Sequence, residues 1–183
     1  FGSMFQSVRD AVTRRQLGEH YTSEENILKT LNPLFLDELR AEFARILTLK
    51  RQTTSLVKLQ QRIGRIRYMD PACGCGNFII VAYRELRDLE LAILERLRDI
   101  EISKGTKTEE EQMLLANVGL RVTLNHFYGI EIDEWPARIA ETAMFLIDRQ
   151  CDLKLAASLG WAPDRLPIQE QAKRGEWDFQ LTE

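Results

Sequence analysis

Cysteine and histidine are scarce in this sequence, which has three cysteines and two histidines. A structural zinc site needs four ligands, usually from these two residue types. The five donors are scattered at Cys73, Cys75, Cys151, His20 and His126. Three cysteines also make no disulfide framework. We therefore expect no metal site, and we interpret the cysteines as ordinary side chains in a reducing compartment.

Long apolar runs and an excess of positive charge are also absent. No run approaches the roughly 20 apolar residues of a membrane helix, and no charged-then-apolar signal segment opens the chain. We therefore expect a cytoplasmic protein without membrane contacts. The net charge of −3 and the pI near 5.6 argue against nucleic-acid binding over the whole surface, because neutralising phosphates requires clustered Lys and Arg.

The chain is long enough for one domain, and 44% of its residues are hydrophobic. Residues 1–3 precede Met4 and are interpreted as a vector-derived remnant. Residues 4–64 are predicted to be helical. Thr22 and Glu25 fit a capping box that opens a helix, and Pro33 ends or kinks it. Apolar residues at helical spacing follow at Leu36, Leu39, Phe43, Ile46, Leu47, Leu56, Leu59 and Ile63.

Residues 65–168 are predicted to form a core of alternating strands and helices. Ile66–Met69 favours a strand that leads into a glycine-rich turn. A long helix follows, with one apolar stripe made by Phe78, Ala82, Leu86, Leu89, Ile93, Leu97 and Ile100. Residues 105–111 are predicted to be a polar loop, and residues 113–120 a short helix.

A second strand is predicted over residues 122–132, where β-branched and aromatic residues are frequent. A helix is expected to begin near Pro136 and end near Arg149, and its predicted buried side carries Ile139, Ala143, Leu146 and Ile147. Strands alternating with helices predict an α/β fold with a parallel sheet. Residues 169–183 form a tail to which we assign no structure.

The glycine-rich turn at residues 70–78 is the segment of the sequence that most clearly predicts a ligand-binding site. Gly74 and Gly76 permit positive φ and a close approach of a ligand to the backbone, and the following helix offers free N–H groups. The phosphate-loop and dinucleotide templates both fail, because no Lys follows Gly76 and Asn-Phe-Ile stands where a further glycine is needed. Asp70 would repel a pyrophosphate, but it can accept hydrogen bonds from an ammonium group. A zwitterionic amino-acid moiety suits this turn.

Three segments resemble motifs of adenine-specific DNA methyltransferases. Asp70-Pro71-Ala72-Cys73-Gly74-Cys75-Gly76-Asn77-Phe78 is similar to their Asp-Pro-Ala-Cys-Gly-Ser-Gly-x-Phe, with Cys75 in place of Ser. Gly18–Ser23 resembles Gly-x-x-Tyr-Thr-Pro, and Gly129–Asp133 resembles the acidic strand-end motif. Within that family, the sequence most resembles large enzymes of restriction-modification or phage-exclusion systems. The resemblance implies a partial Rossmann-like methyltransferase fold with a parallel sheet and a helical N-terminal extension.

The resemblance also implies a cofactor, S-adenosyl-L-methionine, and roles for individual residues. Asp70 and the turn backbone would hold its methionine end, Tyr21 and Thr22 would close over it, Glu131 would accept hydrogen bonds from both ribose hydroxyls, and Ile132 would pack on the adenine. The expected cofactor-binding set is Tyr21, Thr22, Asp70, Pro71, Ala72, Cys73, Gly74, Gly76, Asn77, Phe78, Glu131 and Ile132. Glu131 follows Gly76 by 55 positions, which predicts an enlarged crossover.

Several of these residues have simpler interpretations. Thr22 is equally well explained as a helix cap. Tyr21 has an alternative interpretation as a core residue, and Glu131 and Asp133 have a less favoured one as solvated acids at a strand end. Cys73 and Cys75 are interpreted as small loop residues. Trp135 could border the adenine pocket but is more often a packing residue, and His126 is interpreted as structural.

The motif that would position adenine for methyl transfer is missing from this sequence. The methyltransferases that this sequence resembles carry the motif Asn/Asp-Pro-Pro-Tyr/Phe. None of the five prolines in this sequence is next to another proline, so the motif is absent. The tail also offers no convincing third strand. We therefore expect an inactive cofactor-binding fragment of a site-specific adenine methyltransferase that contacts double-stranded DNA mostly through other regions. A protein or RNA methyltransferase, a non-catalytic scaffold and an oxidoreductase remain alternatives.

Overall fold

The structure, a computed structural model, describes residues 22–105 and 119–161. Of the N-terminal region predicted to be helical, the structure describes residues 22–64, and these are mostly helical. They contain α1 (Glu24–Leu31), a π-helical turn (Asn32–Leu36), α2 (Asp37–Leu47) and α3 (Thr53–Ile63). Pro33 lies in the π-helical turn, where the helix is locally wider than an α-helix, and this turn separates α1 from α2. Leu36, Leu39, Ile46, Leu56, Leu59 and Ile63 are buried.

The predicted capping box at the start of α1 is wrong. Ser23 is the N-cap, and its hydroxyl accepts a hydrogen bond from the Asn26 N–H at 3.4 Å. Ser23 has the extended backbone that an N-cap requires, so the cap lies one residue later than Thr22 and Glu25 suggested. Thr22 therefore precedes the cap.

The remaining elements alternate between strand and helix. They are β1 (Tyr68–Asp70), α4 (Asn77–Ser103), a 3₁₀ turn (Leu124–His126), β2 (Phe127–Gly129) and α5 (Glu134–Leu159). β1 and β2 pair in parallel, with Tyr68 opposite Phe127 and Asp70 opposite Gly129. Both strands therefore end at the same edge of the sheet, and the next residues of each chain segment meet there.

Both strands and the last helix differ in extent from their predictions. The second strand covers Phe127–Gly129 rather than residues 122–132, because the chain turns through Leu124–His126 before pairing. α5 continues to Leu159 rather than ending near Arg149. Of the four residues predicted on its buried side, Ala143 is buried, whereas Ile139, Leu146 and Ile147 are half-buried.

A buried charge network explains the misjudged face of α5. Arg87 of α4 donates to Asp152 at 2.8 Å and lies 3.8 Å from Asp148, and all three side chains are at most 5% exposed. The Tyr83 hydroxyl also donates to Asp148. Polar residues thus occupy the buried side of α5, because Arg87 and Tyr83 satisfy their carboxylates.

One hydrophobic core joins the described elements. It includes Ile27 and Leu31 of α1, the stripe of α4, Phe127 of β2 and Leu155 of α5. Within residues 22–105 and 119–161, no helix is both long and apolar enough to cross a membrane. The predictions for Tyr21, for the short helix at residues 113–120 and for the tail at residues 169–183 lie outside the described residues.

Candidate functional site at the carboxyl ends of the strands

The turn between β1 and α4 is a tight, hydrogen-bonded structure. The Gly76 N–H donates to the Cys73 carbonyl at 2.8 Å, and the Ala72 N–H donates to the Asp70 carboxylate at 3.1 Å. Gly74 and Gly76 have φ values of 53° and 79°. Because most side chains avoid this left-handed region, both positions favour glycine, as the sequence predicted.

The two glycines differ in what surrounds them. A Cβ added to Gly76 would lie 2.9 Å from the Ala140 Cβ of α5, whereas one added to Gly74 would meet nothing within 4 Å. Gly76 therefore lets α4 and α5 approach each other. Gly74 leaves open space beside the backbone, which is what a ligand-binding turn requires.

The turn is joined to the segment that follows β2. The Ile130 N–H donates to the Asp70 carbonyl at 2.9 Å, and the Cys73 N–H donates to the Ile130 carbonyl at 3.0 Å. These bonds carry the pairing of the two chain segments past the ends of β1 and β2. Residues 70–76 and 130–133 therefore form one continuous structure.

The Glu131 carboxylate is half-buried and is hydrogen-bonded within this structure. One of its oxygens accepts a hydrogen bond from the Gly74 N–H at 2.8 Å, and the other accepts one from the Asp133 N–H at 2.9 Å. The interpretation of Glu131 as a merely solvated acid is therefore wrong. A carboxylate has about four acceptor positions, so two remain for further donors.

Asp133 has a structural role that the sequence analysis missed. It is the N-cap of α5, and its carboxylate accepts a hydrogen bond from the Trp135 N–H at 3.2 Å. Acceptors at helix starts are a general signal, and an Asp shortly before Pro136 could have revealed this one. This cap fixes the point at which α5 begins after residues 130–133, the segment that carries Glu131.

Two apolar side chains stand in solvent beside the carboxylate. Ile132 is 98% exposed and Trp135 is 61% exposed. The interpretation of Trp135 as a packing residue is therefore wrong for the described part of the chain. Both side chains are therefore accessible to a ligand.

Cys73 differs from its neighbours because its side chain belongs to the core. It is 6% exposed, and burial, reinforced by the charges of Asp70 and Glu131, raises the pKa of its thiol to about 12. Since thiolate is the form that binds metals and reacts, Cys73 is suited to packing. No group of three potential metal ligands occurs within residues 22–105 and 119–161.

The structure brings together Asp70, Gly74, Gly76 and Glu131 from the predicted set. Pro71 and Ala72 are exposed on the turn, and Asn77 and Phe78 are half-buried at the start of α4. Thr22 lies on a different segment, ahead of α1. A cavity of about 380 Å³ lies elsewhere, where Arg62, Tyr68 and Met69 line it together with apolar residues of the N-terminal helices.

The segment that carries Thr22 is attached to α4 by an ion pair. Glu24, the first residue of α1, accepts two hydrogen bonds from the Arg84 guanidinium, at 2.7 and 3.1 Å. This pair could not be predicted from the sequence, because the partners are 60 positions apart and each fits an ordinary surface position of a helix.

Known proteins resemble this chain in both sequence and structure. Residues 46–176 match the family described as MmeI, DNA-methyltransferase domain. DNA methyltransferase A of Bacillus subtilis (strain 168) is 39% identical over 155 residues, which cover 85% of this chain and 16% of that protein. An adenine-specific methyltransferase, BrxX, of Escherichia coli O9:H4 (strain HS) is 29% identical over 90 residues, or 49% of this chain and 6% of that protein.

A solved structure extends the likeness to the fold. The type IIL restriction-modification enzyme MmeI, in complex with DNA, is 40% identical with a TM-score of 0.76, and the match covers 92% of this chain and 21% of that one. These findings define a DNA methyltransferase domain of the restriction-modification type. The chain belongs to the MmeI DNA-methyltransferase domain family. It spans about a fifth or less of the length of these relatives.

Proposed function

We propose that this chain is the S-adenosyl-L-methionine-binding part of a methyltransferase that modifies the exocyclic amine of adenine in DNA. The observation that carries the proposal is the hydrogen bond between the Gly74 N–H and the Glu131 carboxylate, at 2.8 Å. This bond joins residues 70–78 to residues 129–133, the two described segments whose sequences resemble cofactor-binding motifs. Parallel α/β sheets bind ligands outside the carboxyl ends of their strands, and this bond lies there.

The chemistry of the residues fits this cofactor, whose sulfonium centre supplies the methyl group. The open side of Gly74 admits a ligand to the backbone, and the Asp70 carboxylate suits an ammonium group. Glu131 keeps acceptor positions for two ribose hydroxyls. Ile132 is exposed and can cover one face of an adenine ring. Tyr21 and Thr22 would close the site from the N-terminal side in a Rossmann-like arrangement.

The choice of adenine in DNA rests on the motifs and on the relatives. One relative is named as an adenine-specific methyltransferase, and another was solved in complex with DNA. The chain lacks Asn/Asp-Pro-Pro-Tyr/Phe, and it has no basic surplus with which to hold a duplex. We infer that base contacts and most DNA contacts belong to other parts of a longer restriction or phage-defence enzyme.

Cofactor binding is tested by calorimetry with S-adenosyl-L-methionine on the wild-type chain, a Gly74→Asp variant and an Asp70→Ala variant. We expect binding to the wild type and loss of binding in both variants. Gly105→Asp is a matched control, because Gly105 also has a positive φ and open surroundings but lies at the far end of α4. Binding equal in all four proteins would contradict the assignment of the turn.

A wild-type chain that does not bind the cofactor would favour the non-catalytic scaffold, and binding of NADH instead would favour the oxidoreductase. Incubation with radiolabelled cofactor and adenine-containing DNA should transfer no methyl group. Transfer by this chain alone would show that the catalytic residues are present after all. The protein and RNA alternatives are tested by offering those substrates to the longer enzyme.

A further inference from the structure

The Arg84–Glu24 pair joins two elements of the proposed cofactor site. Arg84 lies two helical turns after Asn77, so at 1.5 Å per residue it is about 12 Å along α4 from Gly76. Glu24 lies two residues after Thr22. The bidentate contact therefore ties Glu24, and with it the adjoining Thr22 and Ser23, to the helix that begins at the glycine turn.

Other contacts at the start of α1 are weaker. The Ser23 cap bond is long, at 3.4 Å, whereas Ile27 and Leu31 secure only the middle and the end of the helix. The hydrogen bonds to Arg84 lower the pKa of the Glu24 carboxyl, as expected for a strong contact. Arg84 also donates to Glu85 at 2.8 Å, and Arg40 of α2 holds the other oxygen of Glu85 at 2.7 Å.

The exposure of the pair argues against a main role in stability. Glu24 is 53% exposed, and an ion pair with one partner mostly in solvent adds about 1 kcal/mol or less to folding free energy. A planar guanidinium that grips a carboxylate with two parallel bonds adds directional accuracy as well as energy. A pair of this kind is better suited to fixing a position than to holding the fold together.

We propose that Arg84 is a positioning residue of the cofactor site, which acts through Glu24 to hold Thr22 and Ser23 in place relative to the turn at residues 74–76. The inference rests on the proposed function. Arg84 does not itself touch the ligand. Its contribution is that the N-terminal wall of the site is already in place when the cofactor arrives, so that less ordering is required on binding.

A double-mutant cycle tests this role. The proteins are the wild type, Arg84→Met, Glu24→Gln and the double variant, each titrated calorimetrically with S-adenosyl-L-methionine and melted without ligand. We expect each single variant to bind about two- to five-fold more weakly, the factor that an exposed ion pair supports. The double variant should bind no more weakly than Arg84→Met, and the melting temperature of Glu24→Gln should stay close to that of the wild type.

A second, more exposed ion pair of α4 separates this effect from a general loss of charge. Lys154 of α5 contacts Asp88 of α4 at 2.9 Å with 52% and 40% exposure, and it lies away from the start of α1. Lys154→Met should leave cofactor affinity unchanged. Hydrogen exchange supplies a second measurement, since Arg84→Met should speed exchange of the amides at residues 25–27 in the free protein.

The outcomes separate this inference from the proposed function. If the wild type binds and Arg84→Met binds equally well, the positioning role is overturned while the cofactor site stands. The positioning role would also be overturned if the fold losses of cofactor affinity in the two single variants multiplied in the double variant. The two residues would then act independently. If the wild type does not bind, the proposed function fails, and this inference fails with it.

Discussion

Gly76 offers the sharpest quantitative prediction, because two separate penalties act at one position. In Gly76→Ala, the new Cβ would lie 2.9 Å from the Ala140 Cβ, and overpacking of a well-packed contact is typically destabilising by about 1–3 kcal/mol. The φ of 79° adds roughly 1–2 kcal/mol for a non-glycine residue. We expect the free energy of unfolding to fall by about 2–5 kcal/mol.

Gly74→Ala isolates the second penalty. Its φ of 53° is also left-handed, but an added Cβ would meet nothing within 4 Å, so we expect a loss of about 1–2 kcal/mol. Both substitutions reduce the freedom of the unfolded chain equally. That effect cancels in the comparison, and the difference between the two variants measures the contact with Ala140.

Urea unfolding followed by circular dichroism gives these free energies. Adding Ala140→Gly should restore part of the stability of Gly76→Ala, although glycine within a helix is itself destabilising by about 1 kcal/mol. The double variant should therefore be more stable than the sum of the single changes predicts. Equal losses for Gly74→Ala and Gly76→Ala, or strictly additive single changes, would refute the packing explanation.

Three further perturbations follow from the site and the core. Glu131→Gln leaves one acceptor oxygen for the N–H groups of Gly74 and Asp133, so the melting temperature should fall by the equivalent of about 1–2 kcal/mol; an unchanged temperature would show that these bonds are not needed. Arg87→Met leaves two buried carboxylates without their cation and should destabilise by about 3–5 kcal/mol, which urea unfolding measures. In a Cys75→Ser protein at pH 8, Cys73 should resist iodoacetamide until denaturant is added, because its thiol has a pKa of about 12; rapid labelling of the native protein, seen by mass spectrometry, would contradict this burial.

The parts of the fold that follow from local patterns were predictable. The apolar stripe of α4 gave a helix that the structure confirms over Asn77–Ser103, because that stripe packs on neighbours along its whole length. The glycine turn was also predictable, since positive φ leaves few other choices of residue. Patterns of this kind need no knowledge of the rest of the chain.

The parts that depend on distant partners were not predictable. The buried carboxylates of α5 are satisfied by Arg87 and Tyr83, 65 positions away in sequence, and an apolar pattern read along α5 alone therefore misses part of its buried face. The second strand was overestimated for a similar reason. β-branched residues are frequent over residues 122–132, but within the described part of the chain only Phe127–Gly129 pairs with a strand.

The parallel pairing explains why an enlarged crossover does not separate the two halves of the candidate site. Glu131 and Gly74 are 57 positions apart in sequence, yet they are joined at 2.8 Å. Their positions depend on the register of Asp70 opposite Gly129 and not on the length of the chain between them. A change of register by one residue would turn each strand side chain to the other face and would move Glu131 away from the Gly74 N–H. The short strands therefore matter more to this site than their length suggests, because three residue pairs set the relation between the turn and its carboxylate.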